Sequence, residues 1–197
     1  MTDVASAGLL VGPDGVARCA WAGSAPEYLS YHDDEWGIPV HGESALYERI
    51  TLEAFQSGLS WITILRKRLA FRAAFAGFDP ERVAPFDDAD RARLMADAGI
   101  VRNARKVDAA IANARAVLDL RADGGLDAYL WSFAPEHYQS PRTTADLRAT
   151  SPESVALAAG LKKRGFAFVG PTTAYAAMQA CGLVDDHLAG CFRAAAT

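Results

Sequence analysis

The spacing of apolar residues predicts a protein built from α-helices. Apolar positions recur three and four residues apart over much of the chain, and no stretch keeps the strict alternation of a half-buried strand. Ser24 and Glu27 predict a capping box at a helix start, and Asp79, Asp87 and Ser151 each precede the first turn of a further helix. The pattern therefore predicts an all-α fold without a sheet.

The longest predicted helix covers about residues 44–68 and carries two apolar stripes. Thr51 and Phe55 lie on one stripe, and Ile50 and Trp61 lie on the other. We expect such a helix to be buried on two sides. Glu53 falls close to the second stripe, where a carboxylate must be paired, hydrogen-bonded or protonated. Glu53 is therefore a candidate site residue, and a structural salt bridge is the alternative.

The remaining helices complete one compact bundle. They are predicted over about residues 24–36, 87–99 and 102–120, with one closed by Gly165 and a last one from Pro171 to about residue 181. Residues 1–17 are expected to be a flexible N-terminal extension that ends in the turn at residues 12–15. Residues 18–197 are expected to form a single helical domain, whose two ends could pack together as a second lobe.

Composition limits the classes of function. Of 197 residues, 51% are apolar and 22% are charged, and no run approaches the roughly 20 apolar residues of a membrane span. The first fifteen residues lack the basic start of a secretory signal. Three cysteines are an odd number, which disfavours a disulfide framework and fits a reducing cytoplasm. A net charge of −4 argues against strong non-specific DNA binding, although basic clusters lie at residues 66–68, 102–106 and 162–164.

Two pairs of potential zinc ligands stand at opposite ends of the chain. Cys19 and His32 lie near its start, and His187 and Cys191 lie four residues apart near its end, a spacing that shares one face of a helix. Two thiolates and two imidazoles complete the tetrahedral shell of Zn²⁺, so such a site would be structural. The alternative is two buried free thiols and two ordinary histidines.

Two further features allow a structural and a functional interpretation. The turn at Gly99 separates two predicted helices, and Arg102, Arg105 and Lys106 follow where a helix start could hold a DNA phosphate. A short turn is equally what any helical bundle needs. Several aromatic residues near Glu53 could pack the core or stack on an extruded nucleobase. They are Trp21, Tyr28, Tyr31, Trp36, Tyr47 and Trp61.

Five sequence blocks closely resemble the 3-methyladenine-DNA glycosylase I family, in its order and spacing. The blocks are residues 18–21 (RCAW), 31–37 (YHDDEWG), 58–63 (GLSWIT), 162–166 (KKRGF) and 181–184 (CGLV), followed by His187 and Cys191. The resemblance covers about residues 18–191 and departs from the family at Ala20, where a glycine is usual. It implies a helix-hairpin-helix glycosylase fold and a monofunctional hydrolase. Such an enzyme flips 3-methyladenine out of alkylated double-stranded DNA and leaves an abasic site.

The resemblance also implies roles for particular residues. Glu53 would contact the base as the catalytic residue, and Tyr28, Tyr31, Trp36 and Trp61 would line or support its pocket. Gly99, Arg102 and Lys106 would belong to the hairpin that grips the DNA backbone. A structural Zn²⁺ is implied on Cys19, His32, His187 and Cys191.

A further likeness to the superfamily lies at residues 184–187 (VDDH), a string that resembles the one carrying the catalytic aspartate in many relatives. It lies far from Gly99, and its histidine is already assigned to zinc, so we interpret the likeness as coincidental. We expect a cytoplasmic monomer with no obligate protein partner.

Overall fold

The computed structural model describes residues 8–194, and within that range it is mainly helical. Two short strands, β1 (Leu9–Val11) and β2 (Ala17–Cys19), pair antiparallel. The α-helices are α1 (Pro26–Asp34), α2 (Glu43–Gln56), α3 (Trp61–Ala74), α4 (Pro80–Val83), α5 (Asp88–Ala96), α6 (Ala104–Leu120), α7 (Gly125–Trp131), α8 (Pro152–Lys163) and α9 (Pro171–Ala180). Among these described helices, none is long and apolar enough to cross a membrane.

The prediction of a helical fold is confirmed, but the prediction of no sheet is wrong. The two strands have three residues each, too few for alternation to be recognised in the sequence. Between them the amide of Gly15 donates to the carbonyl of Gly12 at 3.0 Å and closes a hairpin. Residues 8–17 of the predicted flexible extension therefore form an ordered hairpin that leads into Cys19. Residues 1–7 of that extension lie outside the described residues.

The long helix predicted over residues 44–68 is in fact two helices, α2 and α3. Gly58 has a φ of +80°, a left-handed conformation that ends a helix at little cost only for glycine. The ammonium group of Lys106 donates to the carbonyls of Phe55 and Ser57 at 2.9 and 2.6 Å, and so satisfies the end of α2. The predicted stripes are thus interrupted at residues 57–60, although α2 itself is buried on nearly every side.

The predicted capping residues are confirmed in three of four places. Asp79, Asp87 and Ser151 each accept a hydrogen bond from a backbone amide in the first turn that follows. The capping box at Ser24 is wrong, because α1 begins at Pro26 and the Ser24 hydroxyl donates to the carbonyl of Trp21 at 2.7 Å. Proline is favoured at the first position of a helix, so the helix starts at Pro26 and not next to Ser24.

The core surrounds α2, which packs against α3, α6, α7 and α9. Four phenyl rings from α2, α3 and the turn after α3 are fully buried in a row, with neighbouring centroids 4.7 to 6.2 Å apart. They are Phe55, Phe71, Phe75 and Phe78. Tyr47 ties α2 to α6 by donating its hydroxyl to the carbonyl of Ala110 at 2.8 Å. This packing fixes the C-terminal half of α2, which carries Glu53.

The chain after α9 folds back along the end of α1. The amide of Gly37 donates to the carbonyl of Gln179 at 3.1 Å, and the amide of Val40 donates to the carbonyl of Cys181 at 3.0 Å. Gly182, with a φ of +74°, is required here because a Cβ would lie 2.6 Å from the backbone of residues 38 and 39. The prediction that a helix carries His187 and Cys191 is wrong, since the described residues 181–194 form turns and irregular backbone.

Candidate functional site

A cavity of about 300 Å³ opens where α1, α2, α3 and α9 converge. Its wall is mainly aromatic, with one carboxyl group and two carboxamides. The lining residues are Trp21, Tyr28, Tyr31, Trp36, Glu53, Gln56, Trp61, Ala176 and Gln179. Such a volume and lining suit a flat, polar-edged ring the size of a nucleobase.

Glu53 supplies the carboxyl group of this cavity and is 6% exposed to solvent. Burial raises the pKa of Glu53 to about 8, because the cavity wall replaces the water that stabilises a carboxylate. Arg49, one helical turn earlier, lowers the pKa by its positive charge, but only in part. The guanidinium of Arg49 is itself bound to Glu35 at 3.0 Å. Glu53 is therefore an acid that ionises near neutral pH.

The aromatic rings of the wall pack against one another. Trp21 lies edge to face with Trp36 and Tyr28, at centroid distances of 5.1 and 5.6 Å, and Tyr31 lies at a tilt to Trp61, 5.4 Å away. The Tyr28 hydroxyl accepts the amide of Ile62 at 2.9 Å and so fixes the start of α3. The indole nitrogen of Trp61 is buried and has no hydrogen-bond partner among residues 8–194. The wall therefore retains a buried donor that a ligand could use.

The structure brings together all five residues predicted for the pocket. Glu53, Tyr28, Tyr31, Trp36 and Trp61 line the same cavity. Trp21, one of the aromatic residues that the sequence offered for stacking on a base, also lines it, whereas Gln56, Ala176 and Gln179 were not predicted. Helical spacing could have identified Gln56, which follows Glu53 by three positions on α2. Gln179 had no local signal, because only the tertiary fold brings α9 to α2.

Three of the four predicted metal ligands form a buried cluster. Ligand atoms of Cys19, His32 and Cys191 all lie within 4.8 Å of one another. His187 is outside that group, but its ring centroid lies 4.9 Å from that of His32. Its Nε2 atom is buried and finds no hydrogen-bond partner within residues 8–194. A buried ring nitrogen without a hydrogen-bond partner, next to a histidine of the cluster, is available as a fourth metal ligand.

The surroundings of the cluster also suit a metal. Each histidine directs Nδ1 at a carboxylate, His32 at Asp33 (2.8 Å) and His187 at Asp185 (2.7 Å). This arrangement leaves Nε2 of both rings for the metal, as in many zinc sites.

The neighbouring Cys19 thiol lowers the pKa of Cys191, while the same contact raises the pKa of Cys19. Cys191 is therefore the sulfur that ionises more readily, and a thiolate is the form that binds a dication. The donor set fits Zn²⁺.

The region predicted to bind DNA is a helix, a turn and a helix: α5, residues 97–103, and α6. Gly99 packs against α3, where a Cβ would lie 2.9 Å from that of Ala70, and its amide donates to Asp97 at 2.7 Å. Arg102 is exposed. Lys106 is only 7% exposed and its ammonium group is bound to α2, so in this structure it faces the interior rather than a phosphate.

Comparison of the whole fold defines the class of protein. A crystal structure of a 3-methyladenine DNA glycosylase I matches with a TM-score of 0.86 and 45% identity over 90% of this chain and 100% of that one. A Staphylococcus aureus 3-methyladenine DNA glycosylase I, solved to show recognition of 3-methyladenine, matches with a TM-score of 0.84 and 35% identity over 89% and 95% of the two chains. The fold is that of a DNA glycosylase.

The chain belongs to the methyladenine glycosylase family, whose family model matches residues 21–194. The DNA-3-methyladenine glycosylase 1 of Escherichia coli (strain K12) is 46% identical over 177 residues, which are 88% of this chain and 95% of that protein. A DNA-3-methyladenine glycosylase of Haemophilus influenzae is 43% identical over 178 residues, 88% and 96% of the two chains. The resemblance found in the five sequence blocks is confirmed.

Proposed function

We propose that this protein is a monofunctional DNA glycosylase that excises 3-methyladenine from alkylated double-stranded DNA and leaves an abasic site for base-excision repair. Membership of the methyladenine glycosylase family and similarity to two DNA-3-methyladenine glycosylases support this activity. The single observation that carries the assignment of the site is Glu53, the carboxyl group of an aromatic cavity sized for one base. A base paired in a duplex cannot reach such a cavity, so the nucleotide must be flipped out.

The cavity favours a cationic base over normal adenine. Methylation at N3 gives adenine a positive charge, and each aromatic face contributes about 0.5–2 kcal/mol to binding a cation. In the free protein the pKa of Glu53 is about 8, so its carboxyl group is mainly protonated at pH 7. An entering cation lowers that pKa, and the carboxylate that results complements the charge of the base. Binding therefore releases a proton.

The same charge explains how the bond breaks. Water adds to the sugar C1′, the C1′–N bond breaks, and its electron pair neutralises the departing base while the water gives up a proton. Because the base already carries a positive charge, no strong general acid is required. No lysine is among the described residues lining the cavity, so an imine with the sugar and strand cleavage are not expected.

The helix–turn–helix at α5 and α6 is proposed as the hairpin that holds the DNA backbone. Arg102 and Arg105 are exposed at the start of α6, where the helix dipole also favours a phosphate. Gly99 allows the turn to lie against α3. Lys106 contributes indirectly, because it joins α6 to the end of α2 beside the cavity.

A structural Zn²⁺ is proposed on Cys19, His32, His187 and Cys191. The fit is supported by the close donor atoms and by the unpartnered Nε2 of His187. The ion would join the segment of β2 and α1 to the C-terminal segment. It would have a structural role and would supply no step of the reaction. The three cysteines are not joined by a disulfide, which fits a reducing compartment, and we place the protein in the cytoplasm as a monomer.

The test is chromatography of the free bases released from methylated duplex DNA. We expect the wild type to release 3-methyladenine and Glu53→Gln to release it at least about tenfold more slowly, through loss of one charged contact. Glu43→Gln, at the other end of α2 where the partly buried Glu43 side chain pairs with Arg121, is the matched control and should retain activity. A folded wild type that releases no base would contradict the proposal and leave a protein that only binds damage.

A further inference from the structure

Asp186 is a buried carboxylate behind the wall of the base cavity. Its residue is 3% exposed, and three side chains donate hydrogen bonds to it. The hydroxyl of Tyr138 donates to one oxygen. The other oxygen accepts from the hydroxyl of Tyr175 at 2.9 Å and from Nε2 of Gln179 at 2.5 Å. Of these donors, Gln179 lines the base cavity together with Glu53.

The contact with Asp186 fixes the orientation of the Gln179 amide. A carboxylate only accepts hydrogen bonds, so the end of the amide that faces Asp186 must be the NH₂ group. The carbonyl oxygen is then the polar end left for a bound base. Two side chains of the cavity, Glu53 and Gln179, therefore offer acceptor oxygens to a base edge.

We propose that Asp186 is a positioning residue that makes the protein select adenine-type over guanine-type methylated bases. This inference rests on the proposed function. Adenine carries an amino donor at position 6, which an acceptor oxygen can bind, whereas guanine carries a carbonyl there, which the same oxygen repels. A buried site built around a substrate donor discriminates strongly against an analogue that lacks it. Asp186 acts through Gln179 and does not touch the base.

The experiment measures the ratio of 3-methyladenine to 3-methylguanine released from one sample of methylated DNA. Asp186→Asn introduces an amide that can donate to Gln179, so the Gln179 amide can rotate and present its NH₂ group to the base. We expect this ratio to fall about tenfold. Gln179→Met removes the acceptor while keeping the length and leaves Asp186 untouched, and the ratio should fall here as well. The second variant keeps the test decisive if the first fails to fold.

The control is Tyr138→Phe, which removes a hydrogen bond from the same carboxylate but leaves the contact with Gln179. Its ratio should equal that of the wild type, and zinc content and melting temperature confirm folding in each variant. Equal loss of both bases in Asp186→Asn and Gln179→Met, or an unchanged ratio in both, would overturn the inference. A wild type that releases neither base would instead overturn the proposed function.

Discussion

The base cavity and the cysteine–histidine cluster both bury polar groups, but they use them in opposite ways. In the cavity, Glu53 stands among aromatic rings and its pKa is raised to about 8 by burial. In the cluster, each histidine has a carboxylate on Nδ1, and the Cys191 sulfur lies 3.4 Å from Nε2 of His32. One region leaves space for an exchangeable ligand, and the other brings its donor atoms together as the proposed zinc site requires.

This difference implies opposite effects on stability. A carboxyl group that is harder to ionise in the folded protein than in the unfolded chain lowers the free energy of unfolding at neutral pH. A metal that binds only the folded protein raises the free energy of unfolding. Removing Glu53 should therefore stabilise the protein, and removing a zinc ligand should destabilise it.

The largest effect is expected from Cys19→Ser. The variant should lose bound zinc, and its free energy of unfolding should fall by about 4 kcal/mol, as for other losses of a metal site. Metal analysis and chemical denaturation measure both quantities. Cys181→Ala, at a buried cysteine outside the cluster, should keep its zinc. Full metal content in Cys19→Ser would show that the ligand set is wrong.

The next effect has the opposite sign. Between pH 4.5 and about 8 Glu53 is protonated in the folded protein and ionised in the unfolded chain, so its contribution to stability falls as the pH rises through this window. Glu53→Gln should therefore raise the free energy of unfolding by roughly 3 kcal/mol at pH 7, and by little at pH 4. Denaturation at both pH values measures the gain. An equal gain at both would contradict the assigned ionisation.

A smaller effect is expected from Lys106→Met. The substitution leaves the carbonyls of Phe55 and Ser57 without their donor and should lower the free energy of unfolding by about 1–3 kcal/mol. The salt dependence of DNA binding should not change, because the ammonium group faces the interior. A reduced salt dependence with unchanged stability would instead restore Lys106 as a phosphate contact.

The smallest effect on stability is expected from Arg102→Ala, on an exposed side chain. The free energy of unfolding should stay within about 0.5 kcal/mol of the wild type. The slope of the logarithm of the DNA affinity against the logarithm of the salt concentration should become about 0.9 less steep, through loss of one phosphate contact. An unchanged slope would remove Arg102 from the proposed DNA surface.

Much of the fold and of the cavity could be predicted from the sequence because local signals were strong. The side chains of Asp79, Asp87 and Ser151 accept hydrogen bonds from nearby backbone amides, so these residues predicted helix starts correctly. The five cavity residues predicted by family resemblance do meet in one cavity.

The errors came from contacts between distant parts of the chain. The end of α2 depends on Lys106 of α6 as well as on Gly58. Apolar spacing alone contains neither effect, so it predicted one helix where the structure has two. The place of Gln179 and the inward direction of Lys106 depend on packing between helices, which a residue pattern along one chain does not contain.

The most direct test of the cavity is binding of free 3-methyladenine, followed by the fluorescence of Trp21, Trp36 and Trp61, which line it. We predict that the wild type binds the free base and that Glu53→Gln binds it more weakly, because the variant loses the carboxyl contact with the base. Equal affinity in the two proteins would contradict the role of Glu53.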